Sequence, residues 1–491
     1  MKRVTNPSMT SLHITPSALP SALASAAVTA RAQAAQAVSA QDTAVPQPAT
    51  PSTVLEISSV KAMPTYTVPT SSGPAWATAP RDAISARMES NRSLGSLGGQ
   101  WGKLGGMLLS QLSGSGTSYR QTLLSRPDAT RDLGIQMEGV RFGAATASLE
   151  ITTRSGQKVQ LQIAVNSSPQ GNPGLHVQIE SSGPLSDAER KALAALSEGL
   201  DRALSGLGRE GSPKIDLSGL MDYDRKAFAG LNLSVSVPEG SNTRLQALHL
   251  RLDDQRQSLE LKTDMGGNIA VHLNPAATLV SADPGQKQAA LNQHLQNIGA
   301  AAQRSRADAD LVALFTSSFT QMHGIPASAV PQTLMPAALG SQVAPLLSGL
   351  ADFEASFSGD FQRTNRWGMV TEQGHTDYRV GQRTDSRYRA DTGSLALEQT
   401  VHTALDGHIA KALLPDGMLD MQNGNYELHT FSDRQTTRTH IAAEDDVLTQ
   451  AVQMHDAQQL LTVQKFVENH LQEQHQRPHQ EQWVKQLLAT L

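Results

Sequence analysis

Several residue types and segments are scarce or missing from this chain of 491 residues. It contains no cysteine, which excludes disulfides, thiolate metal ligands and cysteine nucleophiles. Aromatic residues make up only 4% of the chain, so its core must consist mainly of Leu, Val, Ile and Ala. No run of 18 apolar residues occurs, and the sequence therefore predicts no transmembrane helix.

Charge of either sign is also not in large excess. The chain has 40 Lys and Arg against 45 Asp and Glu, without a basic run or an aromatic-plus-basic RNA signature, so we expect no nucleic-acid partner. Lys2 and Arg3 could open a signal peptide. The best apolar run after them, residues 22–28, is short and weakly hydrophobic. We therefore expect no cleavable signal.

The N-terminal segment, residues 1–80, has the composition of a disordered arm. It holds ten of the 24 prolines and six charged residues, and Ser, Thr, Ala and Gln dominate the rest. Such a segment offers too little apolar surface to offset the entropy of ordering its backbone. Short helices are expected in residues 81–128, where five glycines weaken the second helix or permit its close approach to a partner.

Residues 129–278 predict an α+β domain. Alternating polar and apolar residues on both sides of a turn at 154–157 are typical of a β-hairpin. A capping box at Ser186 and Glu189 then opens an amphipathic helix whose leucines form one stripe, ending at Gly208. A further set of strands is expected between Leu231 and Leu273.

The remaining sequence is divided by composition into three parts. Residues 279–349 are rich in Ala, Gln and Leu and predict a helical segment, with a break near Gly324. Residues 350–442 predict an antiparallel β region whose later strands are polar on both faces, as expected for a sheet that contacts water or a partner. Residues 443–491 are expected to form C-terminal helices. The fold class predicted is thus α+β, with antiparallel β units packed against amphipathic helices, a disordered N-terminal arm and a helical C-terminus.

One short segment of the chain matches a catalytic motif. Asp391-Thr392-Gly393 matches the core triplet of aspartic proteases, whose chemistry needs two carboxylates that share a proton. The chain has one such triplet, so catalysis would require a homodimer. Because a turn between Tyr388 and Leu395 accounts for the same residues, Asp391 is a weak catalytic candidate.

Histidines are concentrated in the C-terminal part, where eight of the 15 lie from His402 to His479. His475 and His479 have the i, i+4 spacing of a zinc pair on a helix, but Pro478 lies between them and no H-E-x-x-H pattern is present. They are weak metal candidates. The sequence gives no reason to expect a metal or any other cofactor.

The segment from Leu149 to Leu207 resembles a pattern in uncharacterised bacterial proteins. The resemblance is carried by "ITTRSGQKVQLQI" and then "SGPLSDAERKALAAL" at the start of a helix. It implies a bacterial origin and an α+β module, and it transfers no functional residue.

The leading hypothesis is a non-enzymatic bacterial protein that binds another protein and is exported or envelope-associated. The arm is similar to the N-termini of type III or flagellar export substrates, and cysteine is absent. An apolar stripe expected on the C-terminal helix offers a surface for the partner; its members are Leu460, Val463, Val467 and Leu471. Two alternatives are a hydrolase that uses acidic and His residues of the 350–441 region, and a cytosolic scaffold.

Overall fold

The structure, a computed structural model, describes residues 73–114, 116–167, 172–264, 266–275, 283–324, 335–415 and 417–488. Most of the arm predicted for residues 1–80 lies outside these ranges. Its last residues are described and include a two-residue strand, Ala75–Trp76, which pairs with the next strand of the sheet.

Strands dominate the described residues, with 46% in strands and 27% in helices. All fifteen strands belong to one antiparallel sheet. The strands are β1 (Ala75–Trp76), β2 (Ser118–Leu124), β3 (Ala145–Thr153), β4 (Lys158–Asn166), β5 (Gly174–Ser181), β6 (Phe228–Ser236), β7 (Leu245–Asp253), β8 (Gln257–Thr263), β9 (Asn268–Asn274), β10 (Asp352–Thr364), β11 (Val370–Arg389), β12 (Ser394–Ala412), β13 (Tyr426–Glu444), β14 (Val447–Val467) and β15 (His470–Gln486).

The helices lie between groups of strands. They are α1 (Ala83–Asn91), α2 (Leu97–Trp101), α3 (Leu104–Ser113), α4 (Leu133–Arg141), α5 (Asp187–Leu207), α6 (Ser218–Met221), α7 (Pro284–Ser305), α8 (Ala309–His323) and α9 (Ala337–Val343). A single 3₁₀ turn, Ala344–Leu346, follows α9. Within the described ranges, no helix has both the length and the apolar character needed to cross a membrane.

The order of the strands in the sheet follows the order of the chain from β6 onward, and only the first five strands depart from it. From one edge it runs β1, β2, β5, β4, β3, β6 and then through every later strand in sequence to β15. The predicted hairpin of residues 148–163 is confirmed as β3 and β4, with Leu149 opposite Leu161. The capping box is also confirmed, because the Ser186 hydroxyl accepts from the Glu189 amide and the Glu189 carboxylate accepts from the Ser186 amide.

Two faces of the sheet differ in character. The cross-strand register joins Leu149, Leu233 and Leu250 and continues across the sheet to Ala355 and Val380, all buried on one face. We call this face, against which α5 and α8 pack, the inner face. The opposite, outer face is largely polar.

At the N-terminal end of the sheet, α3 and α5 pack closely through glycine. A Cβ on Gly106 would lie 2.8 Å from the Ser197 carbonyl oxygen and would also clash with the Asp201 carboxylate. The Gly106 amide donates to Asp201 at 2.8 Å. The expectation that glycines in this helix permit a close approach is therefore confirmed.

In the centre, α7 and α8 cover the inner face with an aromatic cluster. Phe315 and Phe319 of α8 contact Phe357 and Phe353 of β10, with ring centroids 5.0 and 5.3 Å apart. His294 of α7 lies edge-on to Phe353 at 5.2 Å. Further along the inner face, α9 covers a small separate core that includes Leu397, Ile441 and Ala451.

The predicted helical C-terminus is wrong: residues 447–467 and 470–486 are β14 and β15. The chain reverses at Asp445-Asp446 and again at Glu468-Asn469, where all four residues have φ between 50° and 63°. A two-residue loop with positive φ at both residues has a backbone twist that matches the twist of the two strands it joins in a hairpin. Asn and Asp tolerate this conformation better than other non-glycine residues, so turns without glycine fold the end of the chain into strands.

The four residues of the predicted apolar stripe do not share a face. Side chains alternate along a strand, and the register places Val463 on the inner face and Leu460 on the outer face. Leu471 lies opposite Phe466, on the outer side. Residues spaced three and four apart share one face only on a helix. On these strands the same residues are divided between the two faces of the sheet.

Candidate functional site: a polar groove beneath α7

The inner face of β12–β15 extends past the helices and leaves a groove. A cavity of about 470 Å³ has these strands as its floor, with α7 and the Leu346–Ser348 segment as its walls. Its floor residues are mostly amides and hydroxyls, namely Gln399, Val401, Thr403, Gln435, Thr437, Thr439, Gln453, His455 and Trp483. We call this cavity and its continuation along α7 the α7 groove.

The continuation is a smaller cavity of about 140 Å³. It shares Asn297, Thr403 and Gln435 with the first cavity, so the two form one path along α7. Tyr378 lines its floor, and Arg304 lies on its helical wall. The groove therefore runs across strands β11–β15 rather than into the core.

An aromatic platform lies at the β15 side of the groove. The rings of Trp483 and His455 are stacked, with centroids 4.8 Å apart and planes 10° apart. His455 Nδ1 is 2.9 Å from the Thr437 hydroxyl, which fixes the orientation of the imidazole. Trp483 is 38% exposed, so much of the indole remains accessible.

Two buried polar atoms belong to residues that line the groove and have no hydrogen-bond partner among the described residues: His294 Nδ1 and the Tyr378 hydroxyl. Both side chains are almost fully buried. Burial lowers the pKa of His294 to about 4 and raises the pKa of Tyr378. Both groups are therefore neutral at pH 7. A buried polar atom without a partner is costly, and a bound polar ligand would relieve that cost.

An ion pair fixes the far end of the groove. The Arg304 guanidinium donates two hydrogen bonds to the Asp433 carboxylate, one of them at 2.9 Å, and so links α7 to β13. The Asp433 side chain is only 13% exposed. Arg306 donates from one nitrogen, Nη1, to both carboxylate oxygens of Glu372 of β11. These pairs neutralise the charges of one another, so the groove offers mainly uncharged donors and acceptors.

The chemistry of this lining favours a neutral, extended and polar ligand. Amide side chains donate and accept hydrogen bonds, as the backbone of an extended peptide does. The Trp483 indole offers a flat face to an apolar or planar side chain.

The weak catalytic candidate, Asp391, lies in the exposed loop that joins the end of β11 to the start of β12. This loop contacts the next hairpin turn, because Asp445 and Asp446 donate their amides to the carbonyls of Thr392 and Gly393. Tyr388 donates to Asp446 at 2.7 Å. The structure thus supplies the turn that the sequence indicated between Tyr388 and Leu395.

The weak metal candidates lie on β15, opposite Val463 and Gln459 respectively. On a strand, His475 and His479 share the inner face but are separated by about 13 Å. That spacing is too long for one metal ion. Within the described ranges no group of three or more His, Asp or Glu residues is placed to hold a metal.

A larger cavity, of about 640 Å³, lies at the other end of the molecule and is lined by three arginines. Arg92 pairs with Glu89, and Arg131 lies 3.5 Å from Asp128. Two of the three arginines thus already have a neighbouring carboxylate of the same chain as a partner. None of the buried atoms without a partner lines it, which is why the α7 groove is the better candidate.

Sequence reasoning did not find the groove. Its floor residues are contributed by strands whose pairing is set by register, and β14 and β15 were expected to be helices. The available signal was the polar character of both faces in β11 and β13, from which the sequence predicted a sheet that contacts water or a partner. Against known proteins, the chain matches no family model, no curated protein and no solved structure.

Proposed function

We propose that this protein is a non-enzymatic protein-binding factor that holds an extended, uncharged segment of a partner protein in the α7 groove. The observation that carries the proposal is an amide-rich floor beside two buried polar atoms, His294 Nδ1 and the Tyr378 hydroxyl, that have no hydrogen-bond partner in the described part of the chain. A peptide backbone supplies the donors and acceptors that such a floor can bind.

The shape of the groove supports an extended ligand. Its two cavities follow α7 from the Trp483 platform to the Arg304–Asp433 pair and remain open to solvent along this path. Trp483 would contact one flat or apolar side chain of the ligand, and large aromatic anchors of this kind commonly supply much of the energy at protein interfaces.

Peptide selection on the full chain tests this proposal. The immobilised protein is used to select random peptides, and the dissociation constants of enriched peptides are then measured by fluorescence anisotropy. We expect Trp483→Ala to weaken their binding by about ten-fold or more. Val484→Ala is the matched control, because Val484 is the next residue but lies on the outer face and is 67% exposed.

The outcomes separate two ligand classes. Equal binding to wild type and Trp483→Ala would place the peptide site elsewhere. Absence of enriched peptides, together with Trp483-dependent binding to an immobilised set of oligosaccharides, would replace the peptide by a saccharide, which an indole platform with amides can also bind.

The place of action is a second part of the proposal: the protein is exported, or associated with the envelope, without a cleavable signal. The Ser, Thr, Pro and Ala content of residues 1–80 supports this proposal. The full chain and a chain lacking residues 2–40 are detected in cells and medium of the native host. Export of the full chain alone supports the proposal, whereas retention of both in the cytosol favours the scaffold alternative.

A further inference from the structure

The open edge of β15 is the longest uncovered element of the described sheet. Every residue from His470 to Gln486 is exposed, and β14 is the one strand with which β15 pairs. The Leu487 amide donates to the Ala451 carbonyl, and the register is continuous from Val452–Gln486 to Gln464–Gln474. Odd-numbered residues of β15 therefore bond to β14, and even-numbered residues direct their N–H and C=O groups to the open edge.

Four charges alternate in sign along this strand. Glu473, Arg477, Glu481 and Lys485 are each four residues apart, so all lie on the inner face. On β14, the residues opposite Arg477, Glu481 and Lys485 are Leu461, Ala457 and Gln453, none of which is charged.

We infer that β15 pairs antiparallel with β15 of a second copy of this chain, about a two-fold axis at His479. In this register Glu473 of each copy lies opposite Lys485 of the other, and Arg477 lies opposite Glu481. All four charges of each copy then face an opposite charge. Cross-strand pairs of opposite charge stabilise a sheet, and like charges destabilise it.

The charge order selects this register over its neighbours. An axis at Arg477 would place Arg477 against itself and Glu473 against Glu481. An axis at Glu481 would place Arg477 against Lys485. An axis at an even-numbered residue would leave each charge opposite an uncharged or histidine side chain. The axis at His479 is the one that pairs all four charges, and it also pairs the even-numbered residues that carry the free backbone groups.

Pro478 is compatible with this interface. It occupies an even-numbered position, so its nitrogen faces the open edge and the ladder to β14 keeps all its donors. The proline removes one donor per copy from the interface, which favours a reversible dimer. Pro and charged residues also protect free edges from association. Protection of a free edge from association would not require any particular order of charges along β15. Pairing of two β15 strands does require the alternating order that is present.

Self-association of the full chain is measured by sedimentation equilibrium over a range of concentrations. We expect a monomer–dimer equilibrium that weakens with salt. Arg477→Glu creates two like-charge contacts with Glu481 in the dimer, and Glu481→Arg creates two with Arg477. Each is expected to raise the dissociation constant by about ten-fold. Arg363→Glu is the matched control, since it makes the same charge change at an exposed site on β10.

Charge exchange gives the sharper test. The double variant Arg477→Glu/Glu481→Arg restores opposite charges and should dimerise like wild type. An equimolar mixture of the two single variants should form a heterodimer that neither forms alone. Gln476→Pro, which removes a donor from the open edge and none from the β14 ladder, should abolish dimerisation. A wild-type chain that is monomeric at every concentration overturns the inference, and so do single variants that dimerise like wild type.

Discussion

Trp483 of β15 lies flat on His455 of β14, with ring centroids 4.8 Å apart. The two residues are directly opposite each other in the register, on the inner face of the sheet. This stacking is one of the side-chain contacts between β15 and β14, beside the hydrogen bonds of Gln482 to Asp456 and of Gln464 to Gln474. Stacked aromatic pairs contribute about 0.5–1.5 kcal/mol beyond their buried area, so the contact affects both the groove and the local stability of β15.

The first prediction concerns local opening of β15. Because all its residues are exposed, its amide hydrogens should exchange faster than those of β10, which packs on the aromatic cluster. Trp483→Ala should accelerate exchange in β15 by roughly 2–10-fold and leave β10 unchanged. Hydrogen exchange followed by mass spectrometry measures both. Equal protection of β15 and β10 would contradict this view of the strand.

The second prediction compares two helical glycines. Gly106→Ala should destabilise the fold by about 1–3 kcal/mol, since the new methyl group meets the Ser197 carbonyl and the Asp201 carboxylate. Gly299→Ala on α7 is the control, because no heavy atom lies within 4 Å of its added Cβ. It should stabilise the fold by about 0.5–1 kcal/mol. Urea unfolding measures both changes, and a change of the same sign at both sites would refute the argument.

The sequence could predict those elements whose stabilising contacts join residues close together along the chain. The α5 capping box and the β3–β4 hairpin are set by residues within a few positions of one another, and both are confirmed. Short helices were likewise expected in the segment from residue 81, and α1 begins after Asp82, whose carboxylate accepts from the Ser85 amide at 2.8 Å. Local hydrogen bonds and alternation were sufficient in these segments.

The C-terminal strands could not be predicted in this way. Residues 447–467 contain five Gln and three Leu, which favour helices, and their hairpin turns at Asp445-Asp446 and Glu468-Asn469 lack the glycine that marks such turns. Cross-strand contacts decide the outcome, for example Gln464 with Gln474 at 2.9 Å and Gln453 with Thr439 at 3.2 Å. These contacts depend on register, which the pattern alone does not provide. The groove was missed for the same reason.

The third prediction concerns the ion pair between α7 and β13. Asp433→Asn should destabilise the fold by about 1–3 kcal/mol, because it leaves the Arg304 guanidinium half-buried without its counter-charge. A double-mutant cycle with Arg304→Gln should give a coupling energy of about 1 kcal/mol. The exposed pair Arg383 and Asp385 is the control and should show no measurable coupling. Equal coupling in the two cycles would mean that burial does not strengthen the inner pair.

The fourth prediction is a pH dependence caused by His294. Desolvation lowers its pKa in the folded protein to about 4, against 6.5 for an exposed histidine. Between these values the unfolded chain binds a proton that the folded chain does not. The free energy of unfolding therefore falls as the pH decreases from 6.5 toward 4, and at pH 5 this one residue costs about 2 kcal/mol relative to pH 7.

His294→Leu removes this proton without a large change in volume. The variant should therefore gain stability relative to wild type as the pH falls, by about 2 kcal/mol between pH 7 and pH 5. Ile298→Val, a buried change on the same helix that carries no proton, should show a difference from wild type that is constant with pH. His323, which lies beside Phe353 and whose pKa burial also lowers to about 4, is retained in all three proteins. His294 contributes a smaller part of that lowering, so His294→Leu changes the pKa of His323 less than burial does. Chemical denaturation at pH 5, 6 and 7 measures the differences. A His294→Leu difference that is as constant as that of Ile298→Val would show that His294 is protonated to the same extent in both states.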